Sequence, residues 1–366
     1  MSTPVKIFFL GATGYIGGSV LNRFLEHRDA AQFAFTVLVR SADKAEKLKA
    51  LGLKPVIGTL QDLTLLEDLS ADADIVVSTA DCDDVPMIKA ILKGMKKHHA
   101  TTGAVPILLH TSGTGVLADD AAGDRPWDVI YNDNDADQIE SLADTQQHRY
   151  VDLEIVRADK EGYVKTYIVL PSTIYGIASG RLADEGIQNK QSVQIPSIIR
   201  ASLGRKRGGM VGNGLNIWNN VHIGDGTPEG CNAQIFADKR TGPSVSNLYI
   251  VIYDAIKSNP DSVPHGREGF YIGENGEHTL HEVGKRVAEE LVALGKATDP
   301  VPTPFTEEEI KTYFGGSTFW GTNSRGRSNR SKAVGWKPAK TTKDMLDSIR
   351  PEIEFILTNP SSKWRP

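Results

Sequence analysis

Three glycines at a fixed spacing, Gly11, Gly14 and Gly17, stand directly between a short apolar run and a helical pattern. Such a loop can hold a pyrophosphate. Glycine permits the tight turn and the close approach of backbone to phosphate, and the following helix offers free N–H groups and its positive dipole end. The spacing here is G-x-x-G-x-x-G, a variant of the general fingerprint, and its place between strand and helix is the context that points to a dinucleotide. Gly11, Thr13, Gly14, Tyr15, Ile16 and Gly17 are therefore the expected phosphate-side contacts.

Which dinucleotide depends on the end of the second strand. An acidic residue there would bind a ribose 2′-OH and disfavour a 2′-phosphate. This strand ends Val39-Arg40-Ser41, with Lys44 one turn on and no acid before Asp43. A guanidinium can grip a phosphate through two bonds and stack on adenine. NADP(H) is thus expected over NAD(H), with Arg40 on the 2′-phosphate. Thr79, Ala80 and Asp81, after the fourth strand, are expected beneath the cofactor ribose.

Other reactive residue types lead nowhere by spacing alone. Cys82 and Cys231 are too few for a disulfide framework or a structural zinc site and fit a reducing compartment. His98-His99 ends a Lys-rich helix without further ligands nearby. Asp119-Asp120, Asp133 and Asp135 read as solvated loop acids, none with calcium-loop spacing. No metal site is expected.

The elements that must position these residues read as α/β. Strands are predicted at 6–10, 35–39, 55–57, 75–77, 105–109 and 166–170, separated by helices at 15–27, 42–51, a Leu-rich stretch and 136–161. Near-continuous apolar strands alternating with helices signal a parallel sheet covered on both faces. Residues 177–220 are rich in Gly, Arg and Gln and lack a period. Helices return at 245–256, 279–294 and 342–357, with a capping box at Thr306 to Glu309. The expected division is a Rossmann-type dinucleotide domain over 1–176, rejoined by 221–258, with 177–220 and 262–366 forming a smaller interleaved substrate lid.

A chain of 366 residues is consistent with that plan at about 150 residues per domain. Net charge of −5 gives no basic footprint, so nucleic acid is not an expected partner. No run reaches the roughly 18 apolar residues of a membrane span, and no export signal is visible, so the expected address is cytoplasmic.

The glycine loop resembles that of the extended and atypical short-chain dehydrogenases/reductases. So do Leu109-His-Thr-Ser112-Gly, Leu170-Pro-Ser-Thr-Ile-Tyr175-Gly, Val221-His222-Ile-Gly-Asp225 and Ala333-Val-Gly-Trp336-Lys-Pro338. The likeness is greatest to the epimerase/dehydratase-like NAD(P)-binding oxidoreductases. It implies that Leu60, Thr111, Pro171 and Thr173 also lie along the cofactor, and that Ser112 sits over the nicotinamide. Thr59 stands where the family often has an adenine-contacting Asp. Dimers are common in the family, so a homodimer is implied by analogy.

The same family usually carries Tyr-x-x-x-Lys on the helix before the sixth strand, the Tyr passing a proton to the substrate oxygen. Here the pattern occurs at Tyr253 and Lys257, well after that strand, and reads as structural. Counting back from Tyr175 puts Asp144 at the Tyr position and His148 at the Lys position, with Tyr150 on another helical face. Ser112, His148 and Tyr175 are therefore the candidate catalytic residues, His148 with an ordinary pKa near 6.5. The leading expectation is an NAD(P)H-dependent oxidoreductase that reduces an aldehyde or ketone. A non-catalytic NADP sensor and a nucleotide-sugar epimerase or dehydratase are the alternatives. The aperiodic insertion at 226–244 reads either as a flap or as a tolerated loop.

Overall fold

The computed structural model describes residues 3–224 and 244–360. Asp225, Cys231 and the 226–244 insertion, apart from Ser244, lie outside the described residues.

The first strands and helices alternate as β1 (Val5–Leu10), α1 (Tyr15–Leu25), β2 (Phe33–Val39), α2 (Ala42–Ala50), β3 (Lys54–Ile57), α3 (Leu63–Ala71), β4 (Ile75–Ser78), α4 (Val85–Thr102) and β5 (Ile107–Thr111). Then come β6 (Tyr131–Asn132), α5 (Ala136–Glu140), α6 (Arg149–Lys160), β7 (Lys165–Pro171), β8 (Thr173–Tyr175), α7 (Arg181–Asp184) and α8 (Gln194–Arg205). The chain continues through β9 (Gly209–Met210), β10 (Ile217–His222), α9 (Val245–Ser258), β11 (Phe270–Gly273), β12 (Glu277–Thr279) and α10 (Leu280–Ala293). It ends with β13 (Thr303–Pro304), α11 (Glu307–Phe314), β14 (Gly326–Arg327), α12 (Asn329–Ala333) and α13 (Thr342–Thr358).

Seven parallel strands form the main sheet in the order β11-β7-β5-β4-β1-β2-β3. Strand order reverses at β1, so the crevice for a ligand opens at the carboxyl ends of β1 and β4. Side chains alternate across the sheet as a period of two demands. Ile7, Phe9, Val37, Val77, Leu109 and Val169 face one core with α1, α2 and α9. Phe8, Leu10, Val76, Leu108, Ile168 and Leu170 face the other with α3, α4 and α6. A third core joins α8, α10 and α13 around Ile199, Val287 and Ile353. Among the described residues no helix is long and apolar enough to cross a membrane.

Four expectations need correction. β5 starts at Ile107 because Pro106 has no N–H to give the ladder. The single helix expected over 136–161 is two, α5 and α6. Residues 141–147 supply little apolar surface, and His148 takes the left-handed conformation at φ 69°, which an α-helix cannot continue through. Phe270–Gly273, assigned to the lid, instead pairs in parallel with β7 as an edge strand of the main sheet, its four residues buried. Asp133, read as solvated, is 1% exposed. Its carboxylate accepts main-chain N–H bonds from Ile272, Arg330 and Ser331 at 3.1, 2.6 and 3.2 Å, tying β11 to the start of α12.

Candidate active site

The glycine loop does what its spacing requires. Gly11 has φ +83°, a conformation that disfavours any side chain. A Cβ on Gly17 would lie 2.2 Å from Gly11 O and 2.3 Å from Thr79 Oγ1, so only glycine lets α1 rest on the ends of β1 and β4. Thr79 Oγ1 donates to Leu10 O at 2.7 Å and locks that contact. Gly14 is the N-cap of α1, which has no side-chain cap and no acid in its first turn. The positive end of the helix is thereby kept for an anion. These features fit the phosphates of a dinucleotide.

Beside the loop lies a cleft of about 310 Å³ lined by Tyr15, Ile16, Thr79, Ser172, Ile174 and the strap Asn189 to Gln194. The strap is fixed to the loop it covers. Asn189 N donates to Thr13 O at 3.0 Å, and Gln188 Nε2 donates to Ser19 Oγ at 3.2 Å. Tyr15 reaches the same layer through its hydroxyl, which donates to Gly176 O at 2.5 Å. The sequence named Tyr15, Ile16 and Thr79 but missed the strap, whose composition has no period to mark it.

Arg40 is exposed at the end of β2, with no hydrogen bond or ion pair among the described residues. Burial and the charges of Lys47 and Arg40 lower the Lys44 ammonium, so this corner is cationic. Leu60 packs partly buried against the α3–α4 core, and Ala80 beside it is also half-buried. Thr111 is engaged: its Oγ1 shares a 2.6 Å hydrogen bond with Tyr249 OH on α9. Pro171 pairs with Gly273 inside the main sheet. Thr173 pairs with Asn220 and lines a separate cavity of about 30 Å³ with Trp218, His278 and Trp320.

Two polar pairs stand at the carboxyl ends of β4 and β5. Ser112 Oγ, just past β5, donates to Asp152 Oδ2 of α6 at 3.1 Å. Asp152 is fully buried, and its Oδ1 has no partner among the described residues. Burial lifts its carboxyl to about 7, although Ser112 and the nearby charges of His148 and Arg149 pull the other way. When Asp152 holds a proton it can donate to Ser112 Oγ, freeing the serine hydroxyl hydrogen for another acceptor.

The second pair centres on His148, N-cap of α6 and 8% exposed. Its Nδ1 lies 2.9 Å from Asp83 Oδ1 and 3.2 Å from Cys82 Sγ. Tyr150 OH and His148 N also donate to Asp83 Oδ1, at 2.8 and 3.1 Å. Burial opposes charging of the ring, but Asp83 and Cys82 outweigh it and lift the pKa to about 10 rather than the ordinary 6.5. Its Nε2 lies against Gly113 and Gly115, without a hydrogen bond among the described residues. Asp83 and Asp152 were missed in the sequence. Their only signal is Asp152 one turn after His148 on α6.

Other candidates are not brought to this point. Tyr175 is 1% exposed, its hydroxyl donating to Thr341 O at 3.0 Å and its ring edge-on to His222 at 5.2 Å. Asp144 lies in the turn before α6 rather than on a helix. On α9, Tyr253 packs on Phe24 and Phe33 while Lys257 pairs with Asp29, as expected of structural residues. His98 and His99 bond the carbonyls of Ala71 and Ala104.

A buried carboxyl supports the strap from behind. Glu352 of α13 is 0% exposed and accepts from Gln191 Nε2 at 3.0 Å, while Arg200 holds the other end of that amide. Burial lifts Glu352 from 4.5 to about 7, only partly offset by the bonds from Gln191 and Gly176. The folded chain therefore keeps a proton that the unfolded chain has lost. The contribution of this group to stability is full below pH 4.5 and is lost as pH rises through about 7. Glu352→Gln should raise stability at pH 8 by up to about 3 kcal/mol and leave it unchanged at pH 4.5, read from urea midpoints. An equal effect at both pH values would refute the buried-proton account.

Residues 11–154 match the family model described as NAD(P)H-binding. The oxidase ucsJ of Acremonium sp is 29% identical over 351 residues, which is 91% of this chain and 92% of that protein. The 4-hydroxy-2-methyl-3-oxo-4-farnesyl-3,4-dihydroquinoline-1-oxide ketoreductase of Stigmatella aurantiaca is 29% identical over 122 residues, 31% of this chain and 35% of that protein. Among solved structures, the UDP-glucose 4-epimerase of Thermotoga maritima superposes with TM-score 0.59 at 12% identity, covering 97% of this chain and 100% of that one. The dTDP-glucose 4,6-dehydratase of Bacillus anthracis does so with TM-score 0.57 at 14% identity, over 98% of each chain. The chain thus resembles NAD(P)H-binding proteins over residues 11–154 and shares the overall fold of the epimerase and the dehydratase just named.

Proposed function

We propose that this chain is an NADP(H)-dependent oxidoreductase that reduces an aldehyde or ketone on a small molecule. The observation that supports the reading is a hydroxyl and an imidazole each held by a carboxylate near the carboxyl ends of β4 and β5: Ser112, just past β5, on Asp152, and His148 on Asp83, which follows β4. The bound nicotinamide supplies the hydride. Ser112 orients the carbonyl oxygen, with Asp152 behind it as the group that sets the direction of the serine hydroxyl. His148, held through Nδ1 by Asp83, presents Nε2 to deliver the proton or order a water that does. The oxidase and ketoreductase relatives support redox chemistry. The test is NADPH consumption across a panel of aldehydes and ketones. Binding of NADPH with no turnover on any of them would replace this reading by the sensing one.

Cofactor choice has its own test. If Arg40 grips a 2′-phosphate, Arg40→Asp should weaken NADPH at least about tenfold, or ~1.4 kcal/mol, while NADH binding is unchanged or improves. Fluorescence titration of both cofactors checks this. Equal loss of both would make Arg40 structural.

A further inference from the structure

Spacing along the chain gives no metal site, but the fold gathers three donor atoms. Cys82 Sγ, a carboxylate oxygen of Asp83 and His148 Nδ1 all lie within 4.8 Å of one another. We propose that these three residues bind a borderline, thiophilic divalent cation of the zinc type. They would do so as Cys82 thiolate, Asp83 carboxylate and neutral His148 through Nδ1.

The donors suit that class of ion. Sulfur, imidazole nitrogen and carboxylate oxygen together favour zinc-like cations over magnesium or calcium, which take oxygen alone. Zinc–ligand lengths of about 2.0–2.3 Å at tetrahedral angles put sulfur about 3.5 Å from nitrogen and nitrogen about 3.3 Å from oxygen. The observed separations are 3.2 and 2.9 Å, so each opens by only a few tenths of an ångström. Nδ1 already stands within hydrogen-bond distance of both Asp83 Oδ1 and Cys82 Sγ, so the three donor atoms converge without a rearrangement of the backbone. A cation satisfies all three donors at once.

The supports are in place as well. Tyr150 OH and the His148 main-chain N–H fix the Asp83 carboxylate through Oδ1, the outer-shell bonding that metal sites use to orient a ligand. Cys82 and Asp83 are only partly buried, which leaves a fourth coordination position open to water. Because coordination uses Nδ1, it leaves Nε2–H free to order a water, the second of the two roles proposed for the ring, and excludes the imidazolium that the first requires. The site does not depend on which substrate or cofactor the cleft takes.

The test is cobalt(II) titration of the chelator-stripped full chain, followed by zinc. The expected result is one equivalent of cobalt with thiolate-to-cobalt charge-transfer absorption, displaced by zinc. Cys82→Ser should abolish that band, and Asp83→Asn should weaken binding at least about tenfold, with circular dichroism confirming folded variants. Absence of the band in the wild-type chain, or its survival in Cys82→Ser, would overturn the proposal. A second measurement needs no variant. Zinc should slow iodoacetamide labelling of Cys82 in the wild-type chain, read by peptide mass spectrometry, and an unchanged rate would also overturn it.

Discussion

Replacing His148 with alanine should lower turnover of a carbonyl substrate by about 10²–10⁴, the usual cost of losing a positioned proton donor. Affinity for NADPH should stay within a few-fold, because the ring contacts Asp83 and Cys82 and its free Nε2 lies against Gly113 and Gly115 rather than in the glycine loop. Ser112→Ala should cost about 10²–10³ by removing the hydroxyl that holds the developing oxyanion. Steady-state NADPH oxidation and a separate cofactor titration give the two readouts. Wild-type turnover in both variants would take them out of the reaction and leave proton delivery to water. A loss of cofactor binding equal to the loss of rate would show that the pair builds the nucleotide site instead.

The second large effect concerns the glycine loop. Gly17→Ala puts a methyl group 2.2 Å from a backbone oxygen that no side-chain rotation can move. Either α1 lifts from the sheet, at about 1–3 kcal/mol, or the chain misfolds locally. NADPH affinity should fall by at least about 100-fold, since the helix end that faces the phosphates is displaced. Gly14→Ala is the control for stability. Its Cβ would meet Gly11 O at 3.1 Å and its φ is −79°, so the cost to folding should stay below about 1 kcal/mol. Thermal unfolding of the two variants decides the matter, and equal melting temperatures would remove close helix packing as the role of Gly17.

Much of the dinucleotide half is legible in the sequence because its signals are local. An apolar run, a glycine loop and an amphipathic helix each declare themselves within a few residues, and β1, α1 and β2 lie where the pattern puts them. The site is less legible because its pairs form across the sheet. Ser112 meets Asp152 forty residues away, and His148 meets Asp83 at sixty-five. The count back from Tyr175 put Asp144 and His148 on one helix, whereas residues 141–148 are not helical. Asp133 shows the opposite failure. An acid in a polar loop is usually solvated, and only the fold reveals three main-chain donors aimed at it.

The edge strand β11 has a consequence for how the chain reaches this state. Its partner β7 ends at Pro171, yet β11 does not begin until Phe270, after the small layer has been threaded through. During synthesis the main sheet therefore waits, with the apolar strand β7 offering unpaired N–H and C=O groups to any passing strand. Pairs so distant in sequence form slowly and leave partly folded chains open to association. The sheet that carries the glycine loop is thus incomplete in a chain cut at residue 176. A fragment ending there would keep its glycine loop and leave β7 without its edge partner, open to association.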